Sequence, residues 1–384
     1  MFTHHMAKKK KIIVIEAQRI FRKNKHGMDF VALEMIRSLQ QLDTHNQYVI
    51  AVGPGEDRCL SETQNFSIVV LDSSNYLIWE QILLPQLLEK VKADLLHCTS
   101  NTAPLYMRIP LVLTLHDIIF MEKKIGNNAS MYQTLGRIYR RWVLPRIIKK
   151  LHTVITVSDY EKNNIATAFP QLREQIVTVY NGVSPRFRPL TVFSDPRFAS
   201  WEKGSYWLLL GNTDPKKNLK NTLQAYAYYL QESTFKKKLL LADLDLQHLD
   251  KLLIELDLQA IKDYLIVEEY IAHDLLVQVY NKAFAFLYPS IRESFGLPLL
   301  EAMACGTPVV TSSTSAIPEV AQDNVVYTNP HDIASIAAGM LQLEQDRTLY
   351  DSLVAKGLVR STQFDWNQTA AKTLDIYEAV HLSK

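Results

Sequence analysis

The sequence predicts an α/β fold made of two doubly wound, Rossmann-like domains. Three observations predict it. The chain has 384 residues, enough for two domains of ordinary size. Short apolar runs of strand length alternate with longer stretches of helical period, the pattern of a parallel sheet covered by helices on both faces. The alternation breaks once, at a turn-rich stretch without clear period from Arg188 to Gly204.

Taken in order, Met1 to Lys11 is short and basic and lacks the long apolar core of a secretory signal. The expected strands of the first half are Ile12–Ile15, Tyr48–Val52, Ile68–Leu71, Leu95–His97, Leu111–Leu115, Thr153–Val157 and Ile176–Val179. Between the first two, Asp29 to Leu42 carries Val31, Leu33, Ile36 and Leu39 on about one helical face. The second half offers Trp207–Leu210, Lys238–Leu241, Tyr264–Val267, Ala283–Leu287, Val309–Thr311 and Val325–Tyr327. The expected division is a first domain over 1–188, a linker over 189–204, a second domain over 205–366 and a closing helical segment over 367–384. Ligands of such sheets bind outside the C-terminal strand ends, so the cleft between two such domains is the expected site.

Composition excludes several classes. Hydrophobic residues make up 47% and charged residues 21%, as in a water-soluble globular protein. A net charge of +2 gives no polyelectrolyte case for nucleic acid. No apolar stretch reaches bilayer-spanning length, which predicts a cytoplasmic chain or one peripheral at the inner face of the membrane. Cys59, Cys98 and Cys305 have no metal-type spacing and favour a reducing compartment. Neither a phosphate-binding G-x-x-x-x-G-K-[ST] loop nor a G-x-G-x-x-G after a strand occurs.

The stretch richest in chemistry runs from Ser290 to Val310. Glu293 and Glu301 stand eight positions apart across a loop that turns into a helix. Pro298 suits a first helical turn, where its missing N–H costs nothing. Gly306 suits the left-handed residue that stops a helix. The unpaired N–H groups and positive dipole end of that helix suit an anion, and the carboxylates suit hydroxyls. By themselves these glutamates would equally serve as surface charges on a strand–helix–strand unit.

The flanking residues decide between the two readings. The E-x7-E arrangement, with F-G-L-P inside it and E-A-M-A-C-G-T-P-V-V following, resembles the retaining glycosyltransferases of the GT4 family. That resemblance implies the two-domain GT-B fold, a nucleotide-diphosphate sugar as donor and a hydroxyl of a saccharide or lipid-linked acceptor; no required metal is expected, because the D-x-D at Asp243 reads as structural. It implies that Glu301 holds the ribose and that Glu293 faces the transferred sugar. The N–H groups of Phe295, Gly296 and Leu297 would touch sugar hydroxyls. Gly211 to Leu219 resembles the family's donor loop, so Gly211 and Lys217 belong to the donor site, with Lys217 neutralising the departing diphosphate. Some relatives carry an arginine where this chain has Asn212, with Lys216 as a weaker substitute. Thr114-Leu115-His116-Asp117 resembles the family's T-x-H-D, which places His116 near the sugar, its tautomer fixed by Asp117 or another acid. Gly27, after the first strand, would let the backbone approach diphosphate; many relatives have two glycines there. The same loop reads equally well as a solvated turn.

The proposed catalytic set is therefore Glu293, His116 and Lys217. The subgroup resembles bacterial enzymes of surface-polysaccharide synthesis that transfer mannose or glucose, with GDP-mannose a natural donor. The lost glycine and Asn212 also admit a catalytically weak nucleotide-sugar-binding scaffold subunit. Asp243-Leu244-Asp245 imitates a metal clamp, but it opens a helical pattern and reads as capping. Gly136 to Lys150 holds six basic residues and no acidic one. Arg137, Arg140 and Arg141 are expected on one face and Ile138, Tyr139, Trp142 and Val143 on the other, which suits packing on the chain's own domain or contact with an anionic membrane.

Overall fold

The computed structural model describes residues 9–122, 131–211 and 214–380. The chain divides into two compact units. One runs to Asn181 and resumes from Trp366; the other spans Gly182–Asp365.

The first unit holds β1 (Ile12–Glu16), β2 (Gln47–Val52), β3 (Phe66–Val70), β4 (Leu95–Cys98), β5 (Leu111–Thr114), β6 (Leu151–Thr156) and β7 (Ile176–Thr178). They form one parallel sheet in the order β3-β2-β1-β4-β5-β6-β7. The second unit holds β8 (Tyr206–Leu210), β9 (Lys238–Ala242), β10 (Leu265–Glu268), β11 (Ala285–Tyr288), β12 (Val309–Ser312) and β13 (Val326–Thr328). Its sheet, also parallel, has the order β10-β9-β8-β11-β12-β13. Each expected strand is present, with ends shifted by at most two residues. The reason is compositional: central strands buried on both faces need unbroken apolar runs, and Ala285, Phe286 and Leu287 are fully buried. Both sheets reverse their winding, between β1 and β4 and between β8 and β11, which opens a crevice at the strands' C-terminal ends.

The C-terminal helix Trp366–Ala379 belongs to the first unit. Ala370, Ile376 and Tyr377 join the apolar cluster of Leu33, Ile36 and Ile50. The Thr369 hydroxyl donates to the Tyr180 carbonyl at 2.7 Å, and the Lys11 ammonium donates to the Val380 carbonyl at 2.7 Å.

Two expectations need correction. The stretch 189–204, read as a linker, is folded into the second unit, which begins at Gly182. The Leu190 N–H donates to Asn281 Oδ1 at 2.7 Å, and the Asp195 N–H donates to Gln278 Oε1 at 3.1 Å. Phe198 is fully buried and meets Trp201 edge-on. Its lack of period reflects anchoring by side chains around only one short helix, Pro196–Ala199.

The basic stretch also differs in its faces. It lies in the helix Met131–Ile147, which passes through Pro145. Val143, Leu144 and Ile147 are buried, whereas Ile138 and Trp142 point outward with Arg141. Arg137 donates to the Phe120 carbonyl at 3.0 Å, and Arg140 lies over the Phe120 ring. Two of the arginines expected outside thus support the domain, and two of the apolar residues expected inside face solvent.

Candidate active site

The second unit assembles its site at the strand reversal. The loop after β8 carries Lys217 and the loop after β11 carries Glu293. Two contacts fasten these loops together. The Ile291 N–H donates to the Lys216 carbonyl at 2.7 Å. Asn218, held left-handed at φ 64°, donates from its buried amide to the carbonyls of Pro289 at 3.0 Å and Pro330 at 2.7 Å. Asparagine is among the side chains that enter this conformation most readily, and here the two carbonyls hold it there. It is a positioning residue that the sequence reading passed over.

The fastening brings Lys217 Nζ to 2.7 Å from Glu293 Oε1, with the Tyr288 ring 5.1 Å from the ammonium. The Ser315 hydroxyl accepts from the Glu293 N–H at 2.9 Å. Burial pushes the Glu293 carboxyl up, but the charge and hydrogen bond of Lys217, aided by Lys216, outweigh it and hold the group below its ordinary value. Glu293 is therefore an anion at neutral pH, with one oxygen engaged by a cation. Lys216 itself leans toward Asp214, 3.7 Å away. Asn212 lies outside the described residues.

Gly296 caps the helix Leu297–Ala304 at φ 102°, a conformation that costs glycine little and side chains much. Pro298 sits in the first turn, and Gly306 follows the helix at φ 73°. The Phe295 ring is packed edge-on against Phe364, so only its backbone is placed to serve a ligand. Gly211 has a packing reason to be glycine: a Cβ there would lie 2.7 Å from Leu244 Cβ and 2.8 Å from the Ala242 carbonyl oxygen.

Glu301 lies on the buried side of that helix, held by groups far away in sequence. His273 Nε2 is 3.0 Å from Oε1, and the Tyr280 hydroxyl donates to Oε2 at 3.3 Å. Phe187 packs edge-on to both rings, at 5.4 Å and 6.0 Å. No spacing in the sequence announces His273, which stands in a loop 28 positions before its partner. Asp243 and Asp245 have structural duties. Asp245 accepts from the His248 N–H at 2.8 Å as a helix cap, and Asp243 accepts from the Ile271 N–H at 3.2 Å.

The remaining predicted residues, His116 and Gly27, belong to the first unit. His116 follows β5 and is buried; its Nε2 is 3.0 Å from the Thr99 carbonyl, and its N–H donates to Asn101 Oδ1 at 2.7 Å. A carbonyl only accepts, so Thr99 fixes the Nε2–H tautomer. No acid is needed to fix the tautomer; Asp117, one candidate for that part, accepts from the Ile119 N–H at 3.1 Å. Burial lowers the His116 pKa, and the Thr99 bond only partly offsets this, so the ring is neutral at pH 7. Gly27 opens the helix Gly27–Leu42, and a Cβ there would meet nothing within 4 Å. The fold itself places no demand for glycine at that position. Nearby, Glu16 at the end of β1 accepts from the Thr99 N–H at 3.0 Å and the Gln18 N–H at 3.1 Å, bridging the strand reversal.

Two doubly wound sheets, with a lysine–carboxylate pair and a glycine-capped helix at one reversal, define a protein of the GT-B glycosyltransferase class. Comparison gives the family. Residues 26–187 match the model described as Glycosyltransferase Family 4, and residues 194–359 match Glycosyl transferases group 1. The chain is 30% identical over 274 residues to O-antigen chain mannosyltransferase B of Escherichia coli, covering 70% of each chain. It superposes with TM-score 0.72 and 17% identity on sucrose-phosphate synthase from Thermosynechococcus elongatus, covering 96% of this chain and 98% of that one. Anabaena HepE in complex with UDP-glucose gives TM-score 0.71 at 16% identity, with 96% and 100% covered. The chain belongs to the GT4 family of glycosyltransferases.

Proposed function

We propose that this glycosyltransferase moves a hexose of the mannose or glucose type from a nucleotide-diphosphate sugar to a hydroxyl of a saccharide or lipid-linked acceptor. Transfer proceeds with retention and without a metal, in the synthesis of a bacterial surface polysaccharide. The mannosyltransferase relative supports the sugar class and the polysaccharide setting, and GDP-mannose is the first donor to try.

The observation that carries the reading is the Lys217–Glu293 pair beside the Gly296-capped helix end. As the donor's glycosidic bond ionises, negative charge grows on the leaving diphosphate. Lys217 and the N–H groups of the Leu297–Ala304 helix stabilise that charge. Glu293, hydrogen-bonded by Lys217, Tyr288 and Ser290, offers its remaining lone pairs to a hydroxyl of the sugar and orients the ring. Glu301, with each oxygen already steadied by one protein donor, presents its remaining lone pairs to a vicinal diol such as ribose. The acceptor hydroxyl then attacks on the face the leaving group quits, and a phosphate oxygen takes its proton.

Thermal-shift titration with GDP-mannose, UDP-glucose, UDP-galactose, UDP-N-acetylglucosamine, GDP and UDP, without added metal, tests the reading. A shift confined to one nucleotide family, lost in Glu301→Ala, supports it. Binding without transfer to any acceptor would favour the scaffold role.

A further inference from the structure

We propose that the outer face of the helix Met131–Ile147 is a docking surface for an anionic lipid bilayer. Leu135 is 60% exposed, Ile138 58% and Trp142 47%. With exposed Pro145 they follow one another at helical spacing and form a single outward stripe. The opposite side of the helix, Val143, Leu144 and Ile147, is fully buried, so the stripe is a surplus of apolar residues beyond what the core uses.

Cations border the stripe. Exposed Arg141 lies on one flank and exposed Arg146 on the other, its guanidinium 4.3 Å from the Trp142 ring. Lys149 follows at the end, and Lys150 lies 5.5 Å from the ring of Tyr106, which is itself 82% exposed. From 131 to 150 the sequence contains no acidic residue. An apolar strip of Trp, Ile and Leu between rows of Arg and Lys is the arrangement of a helix lying flat at a lipid interface. There the strip enters the headgroup boundary and the cations meet lipid phosphates. A second copy of the chain is a poor occupant, because apposing two such faces sets like charges together with no carboxylate between them. No described helix is long and apolar enough to cross a membrane, so the contact is lateral.

Sedimentation of the full chain with vesicles tests the proposal. Vesicles of phosphatidylcholine mixed with phosphatidylglycerol should carry the protein down, and phosphatidylcholine alone should carry little. Added salt should weaken the binding. Ile138→Ser with Trp142→Ser should lower partitioning at least about tenfold. Arg141→Gln, Arg146→Gln and Lys149→Gln together should lower it about a hundredfold on the anionic vesicles. Circular dichroism confirms folding of the variants. Tryptophan quenching by lipid brominated near the headgroup, lost in Trp142→Phe, gives a second readout. The proposal is overturned by absent binding to anionic vesicles or by binding that both variants leave unchanged. A dimer that Ile138→Ser with Trp142→Ser dissolves, in a chain that ignores vesicles, also overturns it.

Discussion

The two units share a strand order and differ in how they use it. In the second, the groups at the strand reversal pair with one another: Lys217 with Glu293, and Glu301 with His273 and Tyr280. In the first, the polar groups at the reversal serve the backbone: Glu16 receives the Thr99 N–H, and His116 meets the Thr99 carbonyl. One reversal holds charged side chains that meet between two fastened loops. The other spends its polar atoms closing the gap between strands. The same topology therefore yields a reversal whose charged side chains pair with one another or one whose polar side chains tie the strand ends together, according to which residues occupy the ends.

That contrast can be broken most strongly at Glu293. Glu293→Ala should lower transfer about a hundred- to a thousandfold while nucleotide affinity changes little. Kinetics with the matched donor, set against calorimetric nucleotide binding, separates the two. Equal loss of both would remove the distinction drawn between Glu293 and Glu301.

A smaller effect belongs to His273. His273→Ala should weaken nucleotide binding about tenfold, since it leaves one Glu301 oxygen without its hydrogen bond, a loss of about 1.5 kcal/mol. His273→Gln should recover part of it. Unchanged affinity in both variants would show that Glu301 needs no second group to position it.

Gly211→Ala should cost about 1–3 kcal/mol of stability, because the new methyl meets Leu244 and the Ala242 carbonyl. Gly27→Ala, in open space, should leave stability nearly unchanged, and any loss of transfer there would point to ligand approach. Thermal melting and transfer rates of the two variants check the pair of statements.

The subtlest test uses acid. His97 is buried against Thr114 and Tyr377, and burial with the neighbouring His116 lowers its pKa from 6.5 to about 3. The unfolded chain thus takes up a proton that the fold resists. This contribution to stability is complete above pH 6.5 and is lost as pH falls from 6.5 toward about 3. Glu80 acts in the opposite sense in the same unit, since burial raises its pKa and acid then favours the fold. In the second unit the Glu293 contribution is complete above 4.5 and is lost only as pH falls below that. His97→Gln should therefore be less stable than the parent at pH 7.5, with the gap narrowing as pH falls. A gap of constant size would show that His97 is not kept neutral by the fold.

The sequence alone determined the strands, because doubly buried strands require unbroken apolar runs, and so determined the doubly wound class. It also determined the loop–helix motif, because Glu293, Gly296, Pro298, Glu301 and Gly306 lie within one short segment whose geometry follows from local rules. Tertiary structure decided the rest. The Lys217–Glu293 pair spans 76 positions, and the Glu301–His273 contact spans 28. Adjacency of β8 and β11 brings the first pair together, and packing of the segment after β10 against the helix after β11 brings the second. The outward turn of Ile138 and Trp142 likewise depended on which side of a helix the core could accept. Helical period says that residues share a face, and only the neighbouring sheet chooses the face that is buried.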